Sequence, residues 1–405
     1  MGAFDLPAPE PKPWRKTPLV ESNILSRQAG CRIFLKLEHI QPGGSFKSRA
    51  IGNLVLSHIN NPENRGKSLH FFIPSGGNAG LAATVAAKSY GFPCTVAIPT
   101  TIKPLMANQL IAAGANVVSH GETIDEAANY MRSVVMEEMT QKYGDAVVSI
   151  ELHPFDREAI WEGVSSMVDE LAYQLPQPFE DDSGDYADSA IPCDAIVCSV
   201  GGGGLMNGII EGLERYAKGR SPRKDVHIVA AETLGSESLF QSYAKRSLVT
   251  LPKITSIASS LGVVRVADKT LENALNPPRG VKVHPVVLHD SEAAMGSLRL
   301  VDAERILVET ACGVAVEAAV GPVDRKPLNN ERAGSPDSMT DTESVEVPQT
   351  NGSWSNRLAQ IIPDFNPSSR VVIVVCGGSN VSIDMAAEWR MKLGEGWAPR
   401  YEVSV

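Results

Sequence analysis

Short apolar runs recur along the chain, most of them followed by a small-residue turn and a stretch of helical character. This pattern predicts a helix over residues 17–27, a strand over 31–38 and a helix over 50–59. An Asn/Pro/Gly-rich loop to 67 leads to a strand over 70–74, an alanine-rich helix to 90 and a strand over 94–99. Helices over 103–113 and 123–143 enclose a strand at 116–119. A second series opens with a strand over 195–200, continues through a helix ending near 216, and reaches a strand over 226–232. Helices over 291–301 and 314–320, a buried strand over 370–375 and a C-terminal helix follow. Alternation of this kind predicts an α/β fold of mostly parallel sheets, flanked by helices on both faces.

Two stretches break the alternation. Residues 1–13 hold four prolines and read as an extended arm. Residues 322–356 are rich in Pro, Ser, Asn, Thr, Asp and Glu and nearly free of large apolar side chains. Such a segment buries too little surface to offset its ordering entropy, so it reads as a disordered insertion between two helices. Its serines and threonines leave a regulatory reading open beside that of a solvated loop. No internal repeat and no separate C-terminal regulatory module is visible in the sequence.

Composition narrows the function classes. At 405 residues, with 43% apolar and 21% charged side chains, this is an ordinary soluble globular chain, long enough for two domains or one large α/β domain. The net charge of −10 and the lack of a basic, aromatic-interleaved stretch argue against a nucleic-acid surface. Six cysteines (Cys31, Cys94, Cys193, Cys198, Cys312, Cys376) lie mostly in or beside apolar runs, and none forms a CxxC pair. Cys193 and Cys198 have no neighbouring histidine to complete a zinc pattern. Free thiols in a reducing compartment are expected. There is no signal-like N-terminus, Leu6 stands where myristoylation needs Ser or Thr, and no run of eighteen apolar residues occurs. A cytoplasmic protein without a membrane partner is the expectation.

The chemistry concentrates in four small-residue turns. Gly-Gly-Ser-Phe-Lys-Ser-Arg at 43–49 carries Lys47 just beyond an apolar strand. A lone lysine at a loop tip is most often solvated; delivered into a protected site, its amine can form a Schiff base with an aldehyde cofactor. Gly201, Gly202, Gly203 and Gly204 stand between a strand and a helix, where bare backbone N–H groups cradle a phosphate. A flexible hinge is the plain alternative. Their spacing matches neither the dinucleotide nor the nucleotide-phosphate fingerprint, so a single monoester phosphate is favoured. Ser-Gly-Gly-Asn-Ala-Gly at 75–80, also at a helix start, suits a small carboxylate or is a simple N-cap. Cys376 follows the last buried strand, where open α/β sheets bind ligands, and is otherwise a core thiol. A neutral thiol facing a pyridine nitrogen would not keep that nitrogen protonated. The weaker electron sink disfavours a long-lived carbanion and favours prompt loss of a β leaving group.

Together these motifs resemble the fold-type II pyridoxal-phosphate enzymes, and most closely the L-serine dehydratase / L-threonine deaminase family in its short, liver-type form. The likeness runs over about residues 15–320 and 357–395. Besides the lysine and Ser75 turns, Ile-Trp-Glu-Gly at 160–163 and Ser-Val-Gly-Gly-Gly-Gly-Leu at 199–205 carry it. So do Glu-Thr-Leu-Gly at 232–235, Lys-Ile-Thr-Ser at 253–256, Leu-Gly-Val at 261–263 and Val-Cys-Gly-Gly-Ser-Asn at 375–380. The resemblance implies a two-domain, tryptophan synthase β-like architecture, with a small domain over 42–152, a large one over 1–41 and 153–405, and the site in the cleft.

It further implies that Lys47 holds pyridoxal 5′-phosphate covalently, that Phe46 packs beside the ring and that Asn78 bonds the 3′-oxygen. Gly201 to Gly204 would take the phosphate, Cys376 would face the ring nitrogen, and Ser75, Gly76, Gly77, Asn78 and Ala79 would take the substrate carboxylate. A potassium ion (K+) is implied on backbone oxygens of Gly201, Ser236, Leu261 and Val263, with Glu232 nearby. The plain alternatives are an exposed acid for Glu232 and simple packing for Leu261 and Val263. The implied reaction converts L-serine to pyruvate and ammonia, and L-threonine to 2-oxobutanoate, in a homodimer. Serine racemases and β-replacement synthases share the fold but usually place serine or threonine where Cys376 stands. One departure matters: Gly76 replaces the alanine of the liver enzyme, which is expected to enlarge the pocket. The effector domain of long-form threonine deaminases is absent from the sequence, so isoleucine feedback is not expected.

Overall fold

In the computed structural model the described residues are 11–177, 186, 189, 191–220, 224–321 and 357–397. The expected insertion at 322–356 and most of the N-terminal arm lie outside them.

Ten strands are found among the described residues: β1 Leu19–Glu21, β2 Arg32–Lys36, β3 Ser68–Pro74, β4 Cys94–Ile98, β5 Asn116–Ser119, β6 Val147–Glu151, β7 Ala195–Ser199, β8 Val226–Thr233, β9 Val281–Leu288 and β10 Arg370–Val374. They form two sheets, one of order β1-β2-β10-β7-β8-β9 and one of order β5-β4-β3-β6. Every pairing is parallel except β1 with β2. The parallel strands read as continuous apolar runs because helices cover both faces: Val371 to Val374 are all fully buried, as are Ile196, Val197, Ile228 and Val229.

Three local expectations are corrected. The helix expected over 17–27 begins instead as β1; Ser22 then caps a shorter helix, Asn23–Ala29, by accepting from Leu25 N. The helix expected from residue 50 starts at Lys47, which places the lysine at a helix N-terminus. The helix expected over 123–143 is interrupted by a π-helical turn, Met131–Val135.

Several elements have no counterpart in the pattern reading. The helix Glu158–Gln174 carries buried Ile160, Val164, Met167, Val168 and Leu171, a 3.6-residue repeat that was available in the sequence. Strand β9 hides behind Pro285 and a polar Lys282, which a sheet edge tolerates and a central strand would not.

Candidate active site

A cavity of about 1010 Å³ is lined by residues that directly follow β3, β4, β6, β7 and β10, so both sheets contribute the carboxyl ends of their strands. Phe46, Lys47, Ser75, Gly76, Gly77, Asn78, Ala79, Gly201, Gly202, Gly203, Gly204, Leu261, Val263 and Cys376 all line it. Of the site residues expected from sequence, Glu232 and Ser236 alone do not.

Lys47 is held by its neighbours in the chain. Ser45 bridges to Gly377, and Phe46 N donates to Cys376 O at 3.1 Å, so the lysine turn is strapped to the turn after β10. The amine reaches across the cavity and donates to Pro154 O at 2.7 Å. Burial lowers its proton affinity to about 8, with no carboxylate to oppose the effect. Its Nζ lies 5.4 Å from the Phe46 ring centroid.

The glycine turn is fixed from behind. Gly203 adopts φ +97°, and a Cβ there would strike Thr270 Oγ1 at 1.9 Å; one at Gly202 would strike the Phe155 ring at 2.3 Å. Side chains are therefore excluded, and the backbone becomes the wall of the cavity. No described residue accepts from the N–H groups of Gly202, Gly203, Gly204 or Leu205, which open the helix Gly204–Ala217. Buried donors of this kind at a helix start suit an anion.

Cys376 is buried, with its Sγ 3.4 Å from Ser199 Oγ. The hydrogen bond from Cys312 holds the Cys376 thiol below its ordinary value, while burial pushes Cys312 well up.

Asn78 begins the helix Asn78–Ser89. Its Oδ1 accepts from Ser379 N at 3.0 Å and its Nδ2 donates to Glu309 Oε1 at 3.0 Å.

One expectation changes in this setting, and one plain alternative falls away. The space opposite Gly76 is filled: a Cβ there would meet Ile102 Cδ1 at 2.2 Å, so the missing methyl does not simply enlarge the pocket. Glu232 is buried and not an exposed acid; its carboxylate accepts from Leu239 N at 2.8 Å and Phe240 N at 2.7 Å. Burial raises its proton affinity to about 8, against those two N–H groups. Ser236 is buried beside Thr233, and the Leu261 carbonyl lies 3.4 Å from the Cβ position of Gly201.

The pattern reading missed Glu309 and Ser260 and gave Asn380 no role beyond its motif; all three line the cavity, and Ser260 Oγ and Asn380 N each donate to Glu309. Their signal was weak, because an acid just before an apolar helix looks like an ordinary helix start.

The donor set fits a phosphorylated aromatic aldehyde. A desolvated amine can engage the aldehyde, and unpaired backbone N–H groups can take the phosphate. Between them the wall carries a buried thiol and an amide.

Comparison with known proteins agrees. The pyridoxal-phosphate dependent enzyme family matches residues 12–333. An L-serine dehydratase of Saccharomyces cerevisiae (strain AWRI1631) is 39% identical over 311 residues, covering 76% of this chain and 86% of its own. An L-serine dehydratase/L-threonine deaminase of Mus musculus is 35% identical over 379 residues, covering 94% of this chain and 95% of its own. The crystal structure of a fungal L-serine ammonia-lyase from Rhizomucor miehei superposes with a TM-score of 0.72 at 28% identity, covering 94% of this chain and 98% of that one. The chain belongs to the pyridoxal-phosphate dependent enzymes, in the L-serine dehydratase family of the fold-type II architecture.

Proposed function

We propose that the protein is a deaminating dehydratase that converts L-serine to pyruvate and ammonia, and L-threonine to 2-oxobutanoate. The observation that carries this reading is the Lys47 amine, desolvated to a proton affinity of about 8, in one cavity with the unpaired N–H groups of the glycine turn. When bound, pyridoxal phosphate supplies the electron sink that makes the substrate Cα proton removable. The chain supplies the rest. Gly201 to Gly204 would bind the phosphate, Lys47 would carry the aldehyde, Phe46 would pack beside the ring, and Cys376 would meet the ring nitrogen. The turn from Ser75 to Ala79 orients the substrate carboxylate. The free Lys47 amine would take the Cα proton; near neutral pH a lowered proton affinity keeps a useful share of it neutral.

The finer assignments belong to the same reading. Residues 42–152 form the small domain and the remainder the large one. The protein works in the cytoplasm as a homodimer. A potassium ion would be held by carbonyl oxygens of Gly201, Ser236, Leu261 and Val263, and its charge would favour the ionised form of buried Glu232. Serine against threonine preference turns on one methyl, about 1–3 kcal/mol in a pocket.

The test is keto-acid release from L-serine and L-threonine with pyridoxal phosphate, in potassium and in sodium buffers. Pyruvate from the wild type, lost in Lys47→Ala, is the expected result. A yellow protein that bleaches with borohydride but releases no keto acid would sink the reaction. It would leave racemisation or β-replacement as the chemistry.

A further inference from the structure

We infer that Glu309 is a positioning residue that sets the Asn78 amide for the cofactor. The inference rests on the cofactor reading above. Glu309 caps the helix Thr310–Val320 and is only 4% exposed, yet its carboxylate enters the cavity wall. Oε1 accepts from Asn78 Nδ2 at 3.0 Å and from Asn380 N at 2.7 Å, and Oε2 accepts from Ser260 Oγ.

These partners come from three separate segments of the chain. Asn78 follows the four-stranded sheet, whereas Ser260 and Asn380 belong with the six-stranded one. The chemistry of the neighbours also fixes which way the amide points. Ser379 N can only donate, so Asn78 must present its oxygen there, at 3.0 Å. The amide nitrogen then faces Glu309, with a second, longer bond of 3.3 Å to Ser260 Oγ. That longer bond is the one a cofactor oxygen can replace, while the Glu309 bond keeps the amide plane fixed.

The backbone around Glu309 is shaped for it. Gly378 adopts φ +113°, and a Cβ there would lie 2.3 Å from Glu309 Cδ. The turn after β10 can therefore pass over the carboxylate only without a side chain.

The experiment uses the holoenzyme and reads the visible absorption band of bound pyridoxal phosphate, together with kcat and thermal stability. Glu309→Leu leaves Asn78 and Asn380 N without their acceptor. It should move the band in the same direction as Asn78→Ala, with kcat falling roughly tenfold through lost alignment. Glu309→Gln keeps the length and an acceptor oxygen, and should restore the wild-type band. Glu309→Leu combined with Asn78→Ala should add no further shift, because the two residues act through one contact. If Glu309→Leu does not fold, Glu309→Asp decides: its shorter reach should give a smaller shift of the same sign. A band unmoved in the Leu and Asp variants, with lower melting temperature alone, overturns the proposal, as does an additive double variant. A wild-type protein without a visible band overturns the cofactor reading, and the proposal with it.

Discussion

Lys47 and Arg49 stand two residues apart at the start of one helix, and their surroundings are opposite. Arg49 is fully buried and its guanidinium is met on every side: Nε and Nη2 by Glu38 at 2.9 and 2.8 Å, Nη1 by Glu170 at 2.6 Å. Lys36 joins the same cluster, donating to Glu170 at 2.5 Å, Gln174 at 2.7 Å and Thr17 O at 2.8 Å. Burial works against the Arg49 charge, but the Glu38 and Glu170 carboxylates outweigh it and hold the group above its ordinary value. Lys47 is partly buried and has one neutral carbonyl for company, so desolvation lowers its value to about 8 unopposed. A buried cation ringed by acceptors is fixed in one charge state and serves as an anchor. A desolvated cation without a counter-ion is ready to give up its proton. The same helix therefore carries a charge-locked anchor and an amine that can release its proton, separated by a single serine.

The comparison can be broken at either end. Lys47→Ala should abolish keto-acid release by about 10³-fold or more, since nucleophile and base are lost together, yet leave denaturant stability nearly unchanged. An equally large stability loss would show that Lys47 is an anchor after all. Arg49→Met should do the reverse, costing about 3–5 kcal/mol in denaturant unfolding, because two carboxylates lose their buried partner. A loss below about 1 kcal/mol would place that cluster among ion pairs of little weight.

The pH profile sharpens the contrast. Lys47 must be neutral to accept a proton, so activity should rise with pH and level off near its value of about 8. At lower pH the rate should fall roughly tenfold per unit; a flat profile from pH 6 to 8 would contradict the assigned base.

The smallest effect comes from a site with no catalytic part. His227 Nδ1 and His284 Nε2 lie 2.9 Å apart. Burial lowers both, and the neighbouring His227 contributes to bringing His284 to about 4. Their folded values are depressed, so the unfolded chain binds more protons below its own value near 6.5. Stability should therefore fall as pH drops from about 6.5 towards 4, by roughly 1–2 kcal/mol after allowing for partial exposure. His284→Gln should flatten that slope, which urea titrations at several pH values would read.

Much of this was legible in the chain. The four small-residue turns announced the cavity, because a backbone that must approach a ligand needs glycine and cannot disguise it. The alternation of apolar runs and helices announced both sheets. What stayed hidden depends on tertiary partners. Glu309 reads as an unremarkable helix start until Asn78 and Asn380, distant in sequence, close around it. Gly76 reads as added room until Ile102 is seen to fill the space. For Glu232 the sequence left an exposed acid open as the plain alternative, until the chain turns back and presents two N–H groups to it.

The placement of β10 has a consequence for the order of events during synthesis. It pairs with β2 on one side and β7 on the other, and the turn after it straps the lysine turn through Ser45 and Gly377. On an emerging polypeptide β2 and β7 are made early, yet they cannot pair with each other in the native arrangement. A slot one strand wide must stay open until residues 370–374 arrive, and contacts so distant in sequence form slowly. Until then the strap across the lysine turn is missing and Cys376 has not been made. Cofactor capture is accordingly one of the last steps in the maturation of each molecule.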